Sequence, residues 1–231
     1  HSSKETRSFH GKISMRLRKI CVVTGSRADY SHLYGVMKSI QQDGRLSLRV
    51  VATGMHLSPK FGRTYRHIER DGFRVDEKVP LLRYSDSAAG VTKSIGLGCR
   101  LFADVFERMK PDMVVVLGDR FEIFSAAIAA YVAGIPLAHL HGGETTQGAL
   151  DEGMRHAITK MATWHFAATD AYRKRIIQLG EAPGRVFHYG APILDSVRRV
   201  PLLTREDLAK SLRFDLTGRV AVVTFHPPTL D

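Results

Sequence analysis

The stretch DMVVVLGDRFEIFSAAIAAYVAGIPLAHLH, from Asp112 to His141, decides the fold. It opens with an apolar run that ends at Gly118, and after a short polar turn it continues as a longer apolar segment over 121–133. Gly134 then separates this segment from a second short apolar run over 135–141. Short apolar runs bounded by turn residues predict strands covered on both faces, and a longer segment between them predicts a helix. The stretch therefore predicts a strand, a helix and a second, parallel strand.

The same alternation runs along the chain from Lys19 onward. Short runs rich in β-branched residues predict further strands at 19–24, 46–53, 74–79, 164–169, 185–190 and 219–225. Amphipathic segments predict helices at 30–42, 61–70, 87–109, 150–161 and 171–179, with Asp170 as an N-cap and another helix starting at Thr204. This order predicts an α/β fold with a doubly wound parallel sheet, whose ligands bind beyond the carboxyl ends of the strands.

Composition and pattern divide the chain into three parts. Residues 1–14 are typical of a leader or tag without structure, and residues 15–192 are predicted to form one Rossmann-like domain. Residues 193–231 are predicted to be a linker and the first strand of a second domain, because one helix and one strand cannot form a core alone. We expect only the start of that second domain in this chain.

Charge and hydropathy exclude several classes of protein. The chain has no apolar run near the roughly 20 residues that a membrane helix needs, which favours a cytoplasmic protein without membrane contact. Its two cysteines lie in a strand-like and a helix-like run without a motif, so we expect no disulfide. The formal net charge of +11 favours an anionic partner. Basic residues lack the aromatic interleaving of a nucleic-acid platform, so a phosphorylated metabolite is favoured over nucleic acid.

Two loops after predicted strands carry charged residues. GSRADYS, 25–31, offers a glycine turn, Arg27 and a helix start, which together suit a phosphate, although an ordinary capped turn explains it equally well. GDRFE, 118–122, places Asp119 at a strand end as a candidate base or ligand anchor, with Arg120 available to a phosphate and Glu122 beside them. The alternative is an Asp cap with a surface ion pair.

The segment HLHGGETTQGALDE, 139–152, carries the richest mixture of side chains. His139 and His141 are two residues apart on a strand and could share a face as a metal pair, but the nearby carboxylates do not reproduce a zinc spacing, so we expect no metal. Gly142 and Gly143 allow close approach of the backbone to a ligand. Glu144 and Asp151 bring carboxylates to the same mouth, where one can act as acid and another as base.

Four motifs together resemble one enzyme family. They are CVVTGSRADYSHL (21–33), KPDMVVVLGDRFE (110–122), HLHGGETTQGALDEGMRHAITKMA (139–162) and FHPPT (225–229). In this order and spacing they resemble the hydrolysing UDP-N-acetylglucosamine 2-epimerases of sialic acid biosynthesis, over the N-terminal half of that family's fold. The resemblance implies the glycosyltransferase B arrangement, in which a substrate lies between two Rossmann-like domains.

The resemblance also implies an activity. A base takes the C2 proton of UDP-N-acetylglucosamine, UDP is eliminated to leave a 2-acetamidoglucal, and water adds to give N-acetylmannosamine, without a redox cofactor. It places Arg27 and Ala28 in the nucleotide site, Arg120 at the diphosphate or sugar, and His226 at the interdomain cleft. Acid and base roles fall to Asp119, Glu144 and Asp151; His141 stands where some relatives have glutamate, so it acts itself or leaves the role to Glu144.

Alternatives remain open within and outside this family. A UDP sugar of the diacetylbacillosamine type fits the motifs equally well, whereas the non-hydrolysing epimerases usually lack GDRFE and HGGE. A non-catalytic nucleotide-sugar binding fragment and a related glycosyltransferase are further alternatives. We expect a homo-oligomer at full length and little or no turnover from the present chain, because the uridine-binding segments of the family lie in the second domain.

Overall fold

A computed structural model of the protein describes residues 16–146, 148–199 and 201–225. Within them, seven parallel strands form one sheet: β1 (Arg18–Thr24), β2 (Leu46–Thr53), β3 (Glu77–Val79), β4 (Met113–Leu117), β5 (Leu137–Leu140), β6 (Trp164–Ala167) and β7 (Val186–His188). Their order in the sheet is β3-β2-β1-β4-β5-β6-β7, so the chain reverses its direction of travel between β1 and β4. Ligands of doubly wound sheets bind in the crevice at this switch point.

Eight α-helices accompany these strands in the described residues. They are α1 (Arg27–Gln42), α2 (Tyr65–Arg70), α3 (Ala88–Met109), α4 (Phe121–Val132), α5 (Asp151–Met161), α6 (Asp170–Gln178), α7 (Ile193–Arg199) and α8 (Arg205–Leu212). Short 3-10 turns lie at Gly54–Leu57, Pro59–Phe61 and Pro183–Arg185. The α/β class and the doubly wound sheet predicted from the sequence are confirmed.

Helices cover the sheet on both faces, and alternate residues of each strand supply the two cores. In β1, Cys21 and Val23 pack with residues of α3, α4 and α5, whereas Ile20 and Val22 pack with residues of α1 and α2. Because strand residues point alternately to opposite faces, the continuous apolar run of β1 is what a doubly covered strand requires. Packing on both faces holds the sheet in place, and the loops that follow the strands extend from its carboxyl-terminal edge.

Several predicted boundaries hold and others shift. The bounds of β2 are those predicted, but the 61–70 helix is interrupted, because Gly62 and Arg63 both have positive φ and only Tyr65–Arg70 forms an α-helix. Thr169, rather than Asp170, caps α6, since its hydroxyl accepts a hydrogen bond from the Tyr172 amide at 3.3 Å. Thr204 caps α8 as expected.

The predicted strand at 219–225 is wrong. This segment forms no strand in the described part of the chain, and the side chains of Val222 and Val223 are 91% and 88% exposed. A β-branched run becomes a strand only when it finds a ladder partner, and this one lies beside none among the described residues. Within 193–199, predicted to be linker, the chain instead forms α7, which packs against α1. The domain boundaries stay a prediction.

Candidate functional site

A cleft of about 480 Å³ opens at the switch point, above the carboxyl ends of β1, β4 and β5. It is walled by the loop that follows each of these strands and by the helices that the loops enter. Its lining combines acidic, basic and imidazole side chains with a few small apolar ones: Ala28, Asp29, His32, Leu117, Gly118, Asp119, Arg120, His141, Glu144, Arg155, Ala168, Tyr172 and Ala191. Predicted site residues from three separate loops therefore meet in one cavity.

The first wall is the turn from β1 into α1. Ser26 caps the helix, because its hydroxyl accepts a hydrogen bond from the Asp29 amide at 3.3 Å. The Asp29 carboxylate in turn accepts from the Gly25 amide at 3.2 Å. Burial raises the pKa of the Asp29 carboxyl above its ordinary value, against the opposing hydrogen bond to Ser26 and the charge of Arg120. The turn is thus a capped helix start, and it also presents Ala28 to the cleft.

The second wall is the turn from β4 into α4. Gly118 has a φ of 77°, the left-handed backbone that glycine adopts without strain, and this turn lifts Asp119 into the cleft. Arg120 donates from its Nε to the Glu122 carboxylate at 2.7 Å. The Glu122 side chain is wholly buried against the backbone of Gly25 and Gly54.

Glu122 is consequently a support for Arg120 and does not itself line the cleft. Burial raises the pKa of the Glu122 carboxyl, against the opposing charge of Arg120. One of its oxygens, Oε2, has no hydrogen-bond partner among the described residues. The ion pair fixes the Arg120 guanidinium at the helix start, where an anion would be attracted by both groups.

Asp119 is paired across the cleft with Arg155 of α5 through a short hydrogen bond from Nη2. Burial raises the pKa of the Asp119 carboxyl above its ordinary value, the Arg155 charge opposes this, and the negative charges of Asp151 and Glu144 add to it. A carboxyl group in this balance exchanges protons closer to neutral pH than a solvated aspartate does. Asp119 therefore has the electrostatics expected of an acid or base.

His139 and His141 do not form a pair. His139 is fully buried, with Nε2 at 2.8 Å from the carbonyl oxygen of Gly118 and Nδ1 at 3.2 Å from the Thr159 hydroxyl. Burial lowers its pKa to about 3, so the ring is neutral. β5 ends at Leu140, and His141 then adopts a positive φ of 62°. The side chain of His141 lines the cleft, whereas that of His139 is buried in the core. In the described residues no group of three or more His, Cys, Asp or Glu side chains could hold a metal ion.

His141 and Glu144 act as one unit in the third wall. The His141 Nδ1 lies 2.6 Å from the Glu144 Oε1, so the carboxylate orients the imidazole. The His32 ring from α1 packs edge-on against His141, with 5.0 Å between ring centroids. Burial lowers the pKa of His32, and the neighbouring His141 lowers it further, against the charge of Glu144.

Gly142 and Gly143, which lie between His141 and Glu144 in the chain, are packed against neighbouring residues of the fold. A Cβ on Gly142 would meet the His139 ring and the Thr159 hydroxyl, both at 3.0 Å. Gly143 has a φ of 75°, and a Cβ there would collide with the carbonyl oxygen of Tyr172 in α6. The space that each glycine leaves open is therefore filled by this chain, which is a structural reason for glycine that the sequence did not indicate.

Arg27 and Asp151 also lie outside the lining of the cleft. Arg27 is exposed at the start of α1 and lines a separate cavity of about 740 Å³ between α1 and α7. Asp151 stands in the first turn of α5, close enough to raise the pKa of Asp119 but outside the lining of the cleft. His226 lies outside the described residues.

Eight lining residues were not among the predicted site residues, and four of these carry polar side chains: Asp29, His32, Arg155 and Tyr172. Arg155 carried a usable signal. It follows Asp151 by four residues and shares its helical face with Ile158, which is fully buried. A charged residue on the buried face of a helix needs a partner, so this spacing points inward to another charge. His32 carried no signal of this kind, because its contact with His141 depends on the way α1 crosses the sheet.

A cleft of acids, bases and cations at the switch point of a doubly wound sheet is typical of α/β domains that bind anionic ligands. The family model of UDP-N-acetylglucosamine 2-epimerases matches residues 38–231. The chain belongs to this family, as its motifs predicted. No helix within the described residues is long and apolar enough to cross a membrane.

The curated relatives of the chain include two hydrolysing epimerases. The chain is 43% identical to the GDP/UDP-N,N'-diacetylbacillosamine 2-epimerase (hydrolyzing) of Campylobacter jejuni, over 94% of its own length and 56% of the relative's. It is 39% identical to the UDP-N,N'-diacetylbacillosamine 2-epimerase (hydrolyzing) of Legionella pneumophila, over 91% and 56%. It is 40% identical to the polysialic acid biosynthesis protein P7 of Escherichia coli, over 93% and 54%. The chain thus spans about half the length of these relatives.

Solved structures share the fold. The UDP-GlcNAc 2-epimerase of Neisseria meningitidis bound to UDP-GlcNAc superposes with a TM-score of 0.70 at 22% identity, over 78% of this chain and 48% of that one. The UDP-GlcNAc 2-epimerase of Methanocaldococcus jannaschii in complex with UDP-GlcNAc and UDP gives a TM-score of 0.69 at 19% identity, over 78% and 49%. At these identities the likeness confirms the glycosyltransferase B type of fold.

Proposed function

We propose that this chain forms part of a hydrolysing 2-epimerase that converts a UDP-linked 2-acetamido sugar into free UDP and the free 2-epimer. The observation that carries the proposal is the cleft itself, where Asp119, Arg120 and the His141–Glu144 unit meet at the switch point. Acid, base and cation in one partly buried cavity are the groups that such an elimination needs.

The reaction proceeds in two steps. A base removes the proton from C2, the electron pair forms a C1–C2 double bond, and the C1–O bond breaks so that UDP leaves with its electrons. Water then adds across the double bond, with a proton to C2 and hydroxide to C1, and the opened sugar has the inverted configuration at C2. Neither step changes the oxidation state of the substrate overall, so the scheme calls for no redox cofactor.

Asp119 and the His141–Glu144 unit supply the proton transfers in this proposal. Asp119 is a carboxylate in this proposal, because Arg155 donates a hydrogen bond to it. Burial raises the pKa of the Asp119 carboxyl, which makes the carboxylate a stronger base toward the C2 proton. The His141–Glu144 contact at 2.6 Å supports a shared role, in which the carboxylate orients the imidazole that faces the substrate. Asp151 adds negative charge beside Asp119.

The departing diphosphate needs positive charge. Arg120 is fixed at the start of α4 by Glu122, and α1 begins close by with its free amides at Arg27 and Ala28. We propose that these groups receive the diphosphate, with the Gly142–Gly143 turn holding His141 and Glu144 in place. Arg27 would bind a more distant part of the nucleotide, since it lines the neighbouring cavity. A role for His226 at the substrate stays a prediction.

The sugar is a UDP-linked acetamido hexose, and two candidates differ at C4 and C6. UDP-N-acetylglucosamine is the substrate implied by the family model. A UDP sugar of the diacetylbacillosamine type is favoured by two hydrolysing relatives at 43% and 39% identity. A role in sialic acid or related acid synthesis, a cytoplasmic location and a homo-oligomer at full length remain predictions.

Product analysis tests the proposal. The complete product of the gene is incubated in deuterium oxide with each UDP sugar, and the products are followed by proton NMR. We expect free UDP and a free 2-epimer with deuterium at C2. A product that keeps its UDP would indicate a non-hydrolysing epimerase, and transfer of the sugar to an acceptor would indicate a transferase; either result contradicts the proposal. The faster of the two substrates identifies the sugar.

A further inference from the structure

Arg155 connects two parts of the cleft that no other described residue joins in this way. Its Nη2 donates both to the Asp119 carboxylate, which follows β4, and to the Thr146 hydroxyl at 3.1 Å, in the loop that follows β5. The residue is only 6% exposed and lies one helical turn into α5. One guanidinium nitrogen therefore sets the spacing between Asp119 and the loop that carries His141 and Glu144.

The contacts of Arg155 contribute little to the free energy of folding. The Nε and Nη1 of Arg155 are buried and have no hydrogen-bond partner within the described residues. A buried guanidinium with unpaired donors loses more hydration than it recovers, so a salt bridge of this kind contributes little to the free energy of folding. The position of Arg155 is better explained by what it does to the residues that it contacts.

The charges that face Asp119 come from every wall of the cleft. In the cleft or close beside it lie Arg155 and Asp151 from α5, His141 and Glu144 from the β5–α5 loop, Asp29 and His32 from α1, and the adjacent Arg120. Arg155 is the cation in direct contact with Asp119, whereas burial, Asp151 and Glu144 all favour protonation. Without Arg155, the balance at Asp119 would favour the neutral acid.

We propose that Arg155 is a positioning residue, which holds Asp119 at a fixed distance from the loop 141–146 and keeps its carboxylate ionised during turnover. This inference rests on the proposed function, because it takes Asp119 as the base. It assigns Arg155 no contact with the substrate. Its effect is exerted through Asp119 by charge, and through Thr146 by geometry.

Three substitutions separate charge from geometry. Arg155→Met removes the charge at similar volume, Arg155→Lys keeps the charge without the planar guanidinium, and Thr146→Val removes only the tether to the loop. Lys160→Met is the matched control, because Lys160 is a cation on the same helix that pairs with Glu181, away from the cleft. The Asp119 carboxyl is titrated by carbon NMR and assigned through Asp119→Asn, and the pH dependence of kcat is measured on the complete gene product.

In Arg155→Met we expect the pKa of Asp119 to rise by about 1 unit or more, since an opposite charge in contact lowers a carboxyl pKa by roughly 1–3 units. The acidic limb of the kcat profile should move upward by the same amount, which is about tenfold in kcat per unit below the limb. Arg155→Lys should restore both values, and Lys160→Met should leave both unchanged. Thr146→Val should lower kcat about threefold to tenfold with the limb in place, from the loss of one hydrogen bond.

An unmoved pKa and limb in Arg155→Met would overturn the proposal, as would equal shifts in Lys160→Met. If Arg155→Met does not fold, unchanged kcat in Thr146→Val together with a shifted limb in Arg155→Lys would overturn it. The carboxyl titration requires no substrate. If the complete gene product released no 2-epimer, the proposed function would fail while the coupling of Arg155 to Asp119 would still be measured.

Discussion

Substitution of Gly143 tests whether the loop after β5 is held by packing against α6. The sequence predicts close approach of a ligand at this glycine, but in the structure Tyr172 and Ile176 of α6 occupy the space beside its Cα. An alanine at 143 would place its Cβ against the Tyr172 carbonyl oxygen and at 2.8 Å from the Ile176 Cγ1, where the neighbour is partly rigid backbone. Gly143→Ala should therefore weaken the fold.

The magnitude follows from two separate costs. Alanine at a φ of 75° costs about 1–2 kcal/mol, the penalty of the left-handed region. Overpacking against α6 adds about 1–3 kcal/mol. Gly134→Ala is the matched control, because Gly134 also has a positive φ, 67°, but a Cβ there would meet no described atom within 4 Å. We expect Gly143→Ala to lose at least about 1 kcal/mol more than Gly134→Ala.

Urea unfolding of the chain measures both variants. The single tryptophan, Trp164, stacks on Phe187 with 6.1 Å between ring centroids, so its fluorescence reports loss of the sheet. Equal free energies of unfolding in the two alanine variants would refute the packing argument. So would an unchanged stability of Gly143→Ala combined with weaker binding of UDP, since that is the result expected if the glycine made room for a ligand.

Two further predictions concern pH and the region beyond α8. His139 is buried with a pKa of about 3, well below that of an unfolded histidine, so the unfolded chain takes up a proton first as pH falls. The free energy of unfolding should drop by about 1.6 kcal/mol between pH 6.5 and 5 from this residue. Urea titrations should show that this part of the slope is absent from His139→Gln, and equal slopes would contradict the assignment. Val222 is 91% exposed, so Val222→Ser should change stability by less than about 0.5 kcal/mol, and a larger loss would mean that 219–225 is packed after all.

Most of the fold was predictable because its strands and helices follow simple periodicities. β1 and β2 are apolar, β-branched runs, and α3 ends near Pro111, which cannot continue a helix. The failures came from tertiary context. The 219–225 run has strand composition but no neighbouring strand among the described residues. The segment 193–199 carries charges and lies between Pro192 and Pro201, as a linker would, but it forms a helix because α1 offers it a surface.

The sequence predicts which loops line the cleft. The sequence predicts that Asp119, Arg120, His141 and Glu144 lie together, because parallel strands bring the residues at their carboxyl ends to one edge of the sheet, and all four line one cleft in the structure. What could not be predicted is how the side chains pair. The contact between His141 and Glu144 depends on a positive φ at a histidine, and the contact between Arg155 and Asp119 depends on the depth at which α5 packs.

We propose that this cleft performs the epimerisation, and Asp119→Asn in the complete gene product is the decisive variant. The amide keeps the shape of the side chain but cannot take a proton, so kcat should fall by about 10²–10⁴-fold, while calorimetry should find UDP bound with nearly unchanged affinity. Asp104→Asn, at an exposed position of α3, is the control and should leave kcat unchanged. Turnover of Asp119→Asn within about tenfold of the unaltered protein would show that Asp119 is not the base, because general-base catalysis contributes more than that.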